Sequence, residues 1–245
     1  MEEMPETLVL LHGFGGTRRA WDPVVPELDP ETYRPLALDL RGHGDRAAVR
    51  PISFDACAAD VLAAAPERFT LCGYSFGGRV AQFVALAASD RIARLILVAS
   101  SGGIEDEAAR AARRAEDEAF AADLETMTIE QYADRWQAQP IFAGTPPEAA
   151  RWWREDLLRN DPKALAEVLR TTGAGVMPVL WERLRALTMP VTVVVGDRDA
   201  KFMAYAERFR AVLPQAEVVV IPGAGHGLPR EAPRELAAAI EGRAA

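Results

Sequence analysis

The chain has 245 residues, of which 49 % are hydrophobic, so it is long enough and apolar enough to fold as one domain with a buried core. Its 28 basic and 36 acidic residues give a formal charge of −8, which argues against a nucleic-acid partner. The N-terminus lacks the basic start and apolar run of a signal peptide, and no stretch approaches the roughly 20 apolar residues that span a bilayer, so we expect a cytoplasmic protein with no membrane partner.

Continuous apolar runs alternate with helical patterns through the first hundred residues. The runs are mostly apolar and do not alternate with polar residues, which predicts strands covered on both faces, as in a parallel sheet. Strands are predicted at 7–11, 33–38, 69–73 and 94–99. Helices are predicted at 21–28, where Pro23 and Pro26 break the pattern, at 54–65 behind the cap residue Ser53, and at 76–89.

The alternation stops between residues 101 and 189, which contain amphipathic helical stretches at 105–125, 129–137, 147–159 and 162–171. This segment holds four of the five tryptophans, and its eleven basic and sixteen acidic residues give it a charge of −5. Strands return at 191–195 and 216–221, with helices at 201–213 and 231–240. We therefore predict an α/β core from residues 1–100 and 190–245, with a helical cap over 101–189.

The turn Gly73-Tyr74-Ser75-Phe76-Gly77 joins a predicted strand to a predicted helix. A G-x-S-x-G sequence in that context is typical of a nucleophile elbow, in which the serine hydroxyl is exposed above the carboxyl ends of the strands. Glycines are needed because so sharp a turn brings the strand against the helix. Ser75 is the candidate nucleophile, although the pentapeptide alone fits a plain glycine-rich turn equally well.

A histidine and two acids follow Ser75 at the ends of later strands. His226 lies in the glycine-rich loop after 216–221 and is the candidate general base, while Asp197 and Asp199 both follow 191–195. The order Ser, Asp, His belongs to the α/β-hydrolase fold. We predict that fold, with a mostly parallel sheet flanked by helices. The cap is expected to be inserted after the strand that is equivalent to the sixth strand of this fold. Asp199 is favoured over Asp197 because the acid of this fold usually comes third after the strand-ending glycine.

The loop His12-Gly13-Phe14-Gly15-Gly16 follows the first predicted strand. In this fold, such a loop and the residue after the nucleophile supply the N–H groups of an oxyanion hole, so Phe14 and Phe76 are the candidate donors. His43, in the loop after the second strand, is interpreted as a hydrogen-bonded loop residue and not as a catalytic base.

The remaining patterns indicate no cofactor. Cys57 and Cys72 lie in apolar runs and are interpreted as buried thiols, not as a disulfide or a metal site. Gly13 to Gly16 does not continue as a dinucleotide-binding G-x-G-x-x-G sequence, because position 18 is arginine, and there is no P-loop. We expect an enzyme that needs no metal and no cofactor.

At five places the chain resembles one family, the 2-succinyl-6-hydroxy-2,4-cyclohexadiene-1-carboxylate synthases of menaquinone biosynthesis. The matching segments are Gly73 to Arg79, Ala111-Ala112-Arg113, Trp136 to Phe142, Leu158-Arg159-Asn160-Asp161-Pro162 and Asp199-Ala200-Lys201-Phe202. The chain departs from the family at Arg41, at Asp197 and in the loop 100–103, which lacks a proline.

The resemblance implies a lyase built on hydrolase machinery. It implies that Ser75, activated by His226 and Asp199, removes a proton next to the succinyl carbonyl, and that the resulting enolate expels pyruvate. It further implies that the substrate is a small polycarboxylate. The residues expected to bind it are Tyr74, Arg79, Arg113, Trp136 and Arg159.

Two other interpretations remain open from the sequence. A carboxylesterase or a C–C bond hydrolase would use the same serine, acid and histidine through an acyl-enzyme. A ligand-binding relative without turnover is also conceivable, but the intact serine, acid and histidine argue against it. The oligomeric state is not indicated by any pattern.

Overall fold

The computed structural model describes residues 4–243 and is built around a six-stranded sheet in the order β2-β1-β3-β4-β5-β6, with every neighbouring pair parallel. The strands are β1 (Glu6–Leu11), β2 (Tyr33–Leu38), β3 (Phe69–Tyr74), β4 (Ile92–Val98), β5 (Val191–Gly196) and β6 (Ala216–Ile221). Every residue of β3 and β5 is buried, as the continuous apolar runs predict. The four central strands end at one edge of the sheet, where their following loops meet.

The helices cover both faces of the sheet and form a separate group between β4 and β5. They are α1 (Phe54–Ala64), α2 (Phe76–Ala87), α3 (Glu107–Leu124), α4 (Ile129–Gln137), α5 (Pro147–Leu157), α6 (Pro162–Thr172), α7 (Trp181–Leu184), α8 (Ala200–Val212), α9 (Leu228–Glu231) and α10 (Pro233–Ile240). One apolar cluster packs α1, α2 and α8 against the sheet, and a second packs α10 against the other side. No helix in the described part of the chain is long and apolar enough to cross a membrane.

Helices α3 to α6 share their own apolar cluster, which includes Tyr132, Trp153, Leu157 and Leu165. Local signals start these helices: a capping box joins Thr128 and Gln131 at α4, and proline opens both α5 and α6. The segment from Met177 onward, including α7, packs instead with the core cluster under α2 and α8. The inserted helices therefore form a small second layer that returns to the core before β5 begins.

The structure differs from the sequence-based expectation at residues 21–28. No α-helix forms there; the chain makes short 3₁₀ turns at Arg18–Trp21 and Val25–Glu27. Pro23 and Pro26 remove the N–H groups and restrict the backbone that a continuous helix would need. Trp21 is fully buried all the same, so this segment still contributes to the core.

Candidate active site

Ser75 occupies the single position between β3 and α2, in a strained backbone conformation with φ 50° and ψ −107°. The first turn of α2 can pack closely against the end of β1 because Gly77 has no side chain. A Cβ at this position would lie 2.3 Å from the carbonyl oxygen of Leu11. The Ser75 N–H donates to the Val98 carbonyl at 2.8 Å, which ties the turn to the neighbouring strand. The serine side chain is thereby left free at the carboxyl ends of the strands.

The structure brings Ser75, His226 and Asp199 into one hydrogen-bonded chain. His226 Nε2 lies 3.1 Å from Ser75 Oγ, and His226 Nδ1 lies 2.7 Å from Asp199 Oδ2. A carboxylate only accepts hydrogen bonds, so Nδ1 carries the proton and Nε2 is free to accept one from the serine. Both the histidine and the aspartate are buried.

Asp199 and Asp197 have different roles in the structure. Asp199 caps α8, since its Oδ1 accepts from the Phe202 N–H at 3.3 Å while Oδ2 faces His226. Asp197 is exposed, and its carboxylate accepts from the Gly223 N–H at 2.8 Å. The first of these two carboxylates is therefore the one that can orient the imidazole.

The N–H groups of Phe14 and Phe76 lie beside Ser75 and have no hydrogen-bond partner in residues 4–243. The reason is that the carbonyl of each of these two peptides is held by hydrogen bonds on the opposite side. The Gly13 carbonyl accepts from His12 Nδ1 at 2.8 Å and from the Gly16 N–H at 3.1 Å. The N–H of a trans peptide points opposite to its carbonyl, so that of Phe14 points the other way. The Ser75 carbonyl is held likewise, by the Arg79 N–H and Ser100 Oγ, both at 3.1 Å. Neither Phe14 N–H nor Phe76 N–H donates to any group in residues 4–243.

A cavity of about 690 Å³ opens in front of Ser75, between the sheet and helices α3 to α5. Its walls are largely aromatic, and its basic side chains outnumber its acidic ones. The aromatic residues are Phe14, Tyr74, Phe120, Trp136, Phe142, Trp153, Phe202 and Tyr205, and the basic ones are Arg79, Arg113, Arg135, Lys201 and Arg230. Such a site suits an anionic molecule with an unsaturated or apolar body.

The chain is similar to known proteins in sequence and in fold. The model of the alpha/beta hydrolase family matches residues 8–239. The 2-succinyl-6-hydroxy-2,4-cyclohexadiene-1-carboxylate synthase of Enterobacter sp. (strain 638) is 36% identical over 240 residues, covering 95% of this chain and 89% of that protein. The structure of MenH from S. aureus is 31% identical with a TM-score of 0.92, over 98% of this chain and 94% of that one.

The chain belongs to the 2-succinyl-6-hydroxy-2,4-cyclohexadiene-1-carboxylate synthase family. It is an enzyme of the α/β-hydrolase superfamily, and the predicted fold class and family resemblance are confirmed. A thermophilic esterase from Thermogutta terrifontis, whose structure has malate bound, is more distant at 27% identity and a TM-score of 0.79, over 98% of this chain and 89% of that one.

In this member of the synthase family, Arg79 and Arg113 lie close together at one wall of the cavity. Arg79 Nη1 donates to the Thr172 carbonyl at 2.8 Å, and the guanidinium lies over the Phe76 ring at 5.2 Å. Burial, reinforced by the positive charge of Arg113, lowers the pKa of Arg79 to about 10. Arg113 Nε pairs with Asp117 at 2.7 Å. Both guanidinium groups keep N–H donors that can bind a ligand. Because their positive charges repel each other, binding an anion between them is favoured.

Tyr74 and Trp136 line the cavity, as the family resemblance implies. Burial raises the pKa of Tyr74 to about 12, so its hydroxyl stays protonated at neutral pH. The Trp136 ring stacks on Phe120 at 5.9 Å and leans on Phe14 at 4.9 Å. Its Nε1 is buried and has no partner among the described residues, which leaves a donor for a ligand.

The structure places Arg159 outside the cavity lining, apart from the other residues that are expected to bind substrate. Arg159 lies two residues beyond the end of α5 and is exposed. The next residue, Asn160, is the one that turns inward, donating to the Gly15 carbonyl at 2.8 Å and accepting from the Gly44 N–H at 3.1 Å. The family pattern at this point therefore includes a residue that ties the cap to two core loops.

Three basic residues of the cavity wall were not assigned from the sequence: Arg135, Lys201 and Arg230. Lys201 directly follows α8's first residue, and burial, with help from the Arg113 charge, lowers its pKa. Arg230 lies on α9, four residues after His226, which is the one local signal that could have indicated it. Sequence reasoning passed over Arg230 because it stands in no recognised motif.

His43 lies behind the cavity wall and not in it. The ring is fully buried, its Nδ1 contacts the Arg41 carbonyl at 3.2 Å, and it packs edge-on against His12 and Phe14. Burial lowers its pKa well below the ordinary value, so it stays neutral. This agrees with its interpretation as a hydrogen-bonded loop residue.

The two cysteines are free and buried, which confirms their interpretation as thiols, and burial raises the pKa of Cys57 to about 11. Residues 4–243 hold no group of three or more histidine, cysteine, aspartate or glutamate side chains placed to bind a metal ion.

Proposed function

We propose that this protein eliminates pyruvate from 2-succinyl-5-enolpyruvyl-6-hydroxy-3-cyclohexene-1-carboxylate, a step of menaquinone biosynthesis. The observation that carries the proposal is the placement of several basic side chains around the Ser75–His226–Asp199 chain in one aromatic cavity. A simple ester has no need of so many cations, whereas this substrate carries three carboxylates. Membership of the synthase family points to the same reaction.

The proposed chemistry begins with proton transfer. His226 Nε2 accepts the Ser75 hydroxyl proton, and the serine oxygen removes the proton next to the succinyl ketone. Asp199 stabilises the imidazolium that forms and holds its ring in place. The C–H electron pair becomes an enolate, whose oxygen accepts hydrogen bonds from the Phe14 and Phe76 N–H groups. An oxyanion hole serves an enolate as well as it serves a tetrahedral intermediate.

Collapse of the enolate then forms a double bond between ring carbons 2 and 3, shifts the existing double bond from carbons 3 and 4 to carbons 4 and 5, and breaks the bond from carbon 5 to the enolpyruvyl oxygen. The departing group receives the proton held by His226 and leaves as pyruvate. No electrons enter or leave the substrate overall, so the proposal assigns no redox cofactor. Arg79 and Arg113 hold one carboxylate by paired hydrogen bonds, and Tyr74 and Trp136 enclose the ring.

The direct test is to incubate the purified protein with this substrate and measure pyruvate by a coupled dehydrogenase assay. Pyruvate should appear in stoichiometric amount with the cyclohexadiene product, whose conjugated chromophore gives a second readout. A matched sample of the Ser75→Ala variant should release none above background. Absence of pyruvate from the folded wild-type protein would overturn the proposal.

A carboxylesterase is the second candidate, because the 3.1 Å contact between Ser75 Oγ and His226 Nε2 also suits acyl transfer. The two reactions differ in whether the serine becomes covalently modified. Rapid acid quench during turnover, followed by intact-protein mass measurement, should show unmodified serine for the elimination. A mass increase at Ser75 would favour the esterase.

A further inference from the structure

Arg230 is a buried cation in the wall of the cavity, with 8 % of its surface exposed. It stands on α9 directly after the His226 loop, and its guanidinium lies over the Trp153 ring at 4.0 Å and the Tyr74 ring at 5.8 Å. The side chain is thus held between two aromatic faces, which leaves the edge of its fork for a ligand.

The guanidinium has no carboxylate partner within residues 4–243. Its neighbour Glu231 is directed elsewhere, accepting from Thr145 Oγ1 at 2.8 Å and the Gly225 N–H at 2.6 Å. Among the same residues, the one polar contact of the Arg230 side chain is a long one, 3.5 Å from Nη2 to the Tyr74 hydroxyl, and its Nε has no partner. An unpaired buried charge is costly, so folds rarely retain one without a function.

Arg230 lies at a different wall from Arg79 and Arg113. Arg79 contacts Phe54, Phe76 and the Thr172 carbonyl on the α2 side, whereas Arg230 contacts Tyr74 and Trp153 on the α9 side. The two sets of contacts share no residue. Ser75 is preceded by Tyr74, which contacts Arg230, and followed by Phe76, which contacts Arg79. The cavity therefore has two positive poles with the reactive serine between them.

We propose that Arg230 binds a second carboxylate of the substrate, while Arg79 and Arg113 bind a different one. This rests on the proposed function, whose substrate carries three carboxylates spread around a ring. Binding at both poles fixes the ring across Ser75, so that the proton next to the ketone meets the serine oxygen. The bound carboxylate also gives the Arg230 guanidinium the negatively charged partner that it lacks among residues 4–243.

The test measures substrate binding by calorimetry in the Ser75→Ala background, where the substrate is not consumed. Arg230→Met keeps the stem packed on Trp153 and removes the charge; it should weaken binding by about tenfold or more. Arg230→Lys should recover part of the loss. Arg234→Met is the matched control, because that arginine is 82% exposed on the next helix and should leave binding unchanged.

A double variant tests whether the poles hold separate carboxylates. If they do, the fold losses of Arg230→Met and Arg113→Gln should multiply; if both residues share one carboxylate, the double variant loses less than the product. The unliganded Arg230→Met protein should melt at the wild-type temperature or higher, since an unpaired charge is removed. Lower melting with unchanged affinity would assign Arg230 to structure alone and overturn the proposal. Pyruvate release by the wild type tests the reaction separately, so either proposal can fail without the other.

Discussion

At the scale of single residues, Ser75 is held by its backbone and not by its side chain. Its N–H and carbonyl are both hydrogen-bonded, to Val98 and from Arg79 and Ser100, and these bonds maintain the strained turn. Within the part of the chain that the structure describes, the side-chain hydroxyl is hydrogen-bonded to His226 alone. Removing that hydroxyl should therefore change the chemistry and leave the turn in place.

Changing Ser75 to alanine should lower kcat for pyruvate release by at least ~10³, by analogy with triad deletions. The melting temperature should stay close to that of the wild type, because no backbone contact is lost. Single-turnover pyruvate release and a thermal melt on the same preparation check both parts. A folded variant that keeps most of the activity would remove Ser75 from the mechanism.

The two aspartates after β5 provide a matched pair for the next prediction. Asp199→Asn should lower kcat by a large factor, since an amide facing Nδ1 favours the wrong imidazole tautomer. Asp197→Asn should have little effect, because that side chain is exposed and bonds only a loop N–H. Parallel kcat measurements on the two variants decide the matter, and a greater loss for Asp197→Asn would reverse the assignment.

Residue types and strand ends were enough to select Ser75 and His226 from the sequence, since parallel strands deliver their following loops to one edge. The choice of Asp199 over Asp197 also needed the usual position of the acid in this fold. Arg159 was beyond that reasoning. It stands in the turn after α5, where no helical period tells which of two neighbours faces inward, and Asn160 does so. Arg230 was missed because its setting depends on Trp153, which is distant in sequence.

At the scale of elements, the loops after β1 and β2 pack against each other beside the peptide that carries the Phe14 N–H. His12 in the loop after β1 accepts from the Leu40 N–H at 3.0 Å and meets the His43 ring at 4.8 Å. Burial lowers the pKa of both histidines. Both rings are therefore neutral at neutral pH. The Nδ1–H of His12 donates to the Gly13 carbonyl, which belongs to the same peptide as the Phe14 N–H.

These histidines should make the fold sensitive to mild acid. Above pH 6.5 they are neutral in the folded and unfolded chain alike, so their contribution is fully present. Below pH 6.5 the unfolded chain takes up protons that the folded protein refuses, and the free energy of unfolding should fall by at most about 1.4 kcal/mol per pH unit for each.

Urea unfolding between pH 7.5 and 5.5 measures this slope. The His43→Gln variant should show a smaller slope than the wild type, by at most about 1.4 kcal/mol per pH unit, which corresponds to one proton. Any contribution of His226 is the same in both proteins and does not affect this difference. Equal slopes in the two proteins would show that His43 is protonated in the folded state.

Element boundaries were predicted well where burial and caps act together. Ser53 caps α1 by accepting from the Ala56 N–H, as expected, and the strand at β2 begins and ends where the apolar run does. The segment 21–28 was harder, because Trp21 and Val24 are core residues at a helical spacing while the prolines forbid a helix. In this segment the core residues are buried as a helix would bury them, but the backbone forms 3₁₀ turns instead of the predicted helix.

At the scale of the whole molecule, the inserted helices carry net negative charge and yet contribute Arg113 to a cavity rich in cations. The acidic residues of these helices are mostly exposed, and several of them pair with arginines that lie outside the cavity, such as Arg170 and Arg185. The overall charge of a layer therefore says little about its inner face. Under the proposed function, an anionic substrate is selected by the small set of guanidinium groups that line the cavity.

Arg113 and Arg159 allow that selection to be tested within one layer of the molecule. Arg113→Gln keeps a group that can bond Asp117 but loses the charge, and it should lower kcat/KM for the polycarboxylate by about ten- to a hundredfold, equivalent to ~1.5–3 kcal/mol. A neutral p-nitrophenyl ester, if turned over, should be affected little. Arg159→Gln is the matched control and should leave both substrates unaffected, because its side chain is exposed outside the cavity. The decisive quantity is the ratio of kcat/KM on the two substrates for each variant. Equal losses on both in Arg113→Gln would mean that this arginine only braces α3, and selection of the anion would then have to come from the other pole of the cavity.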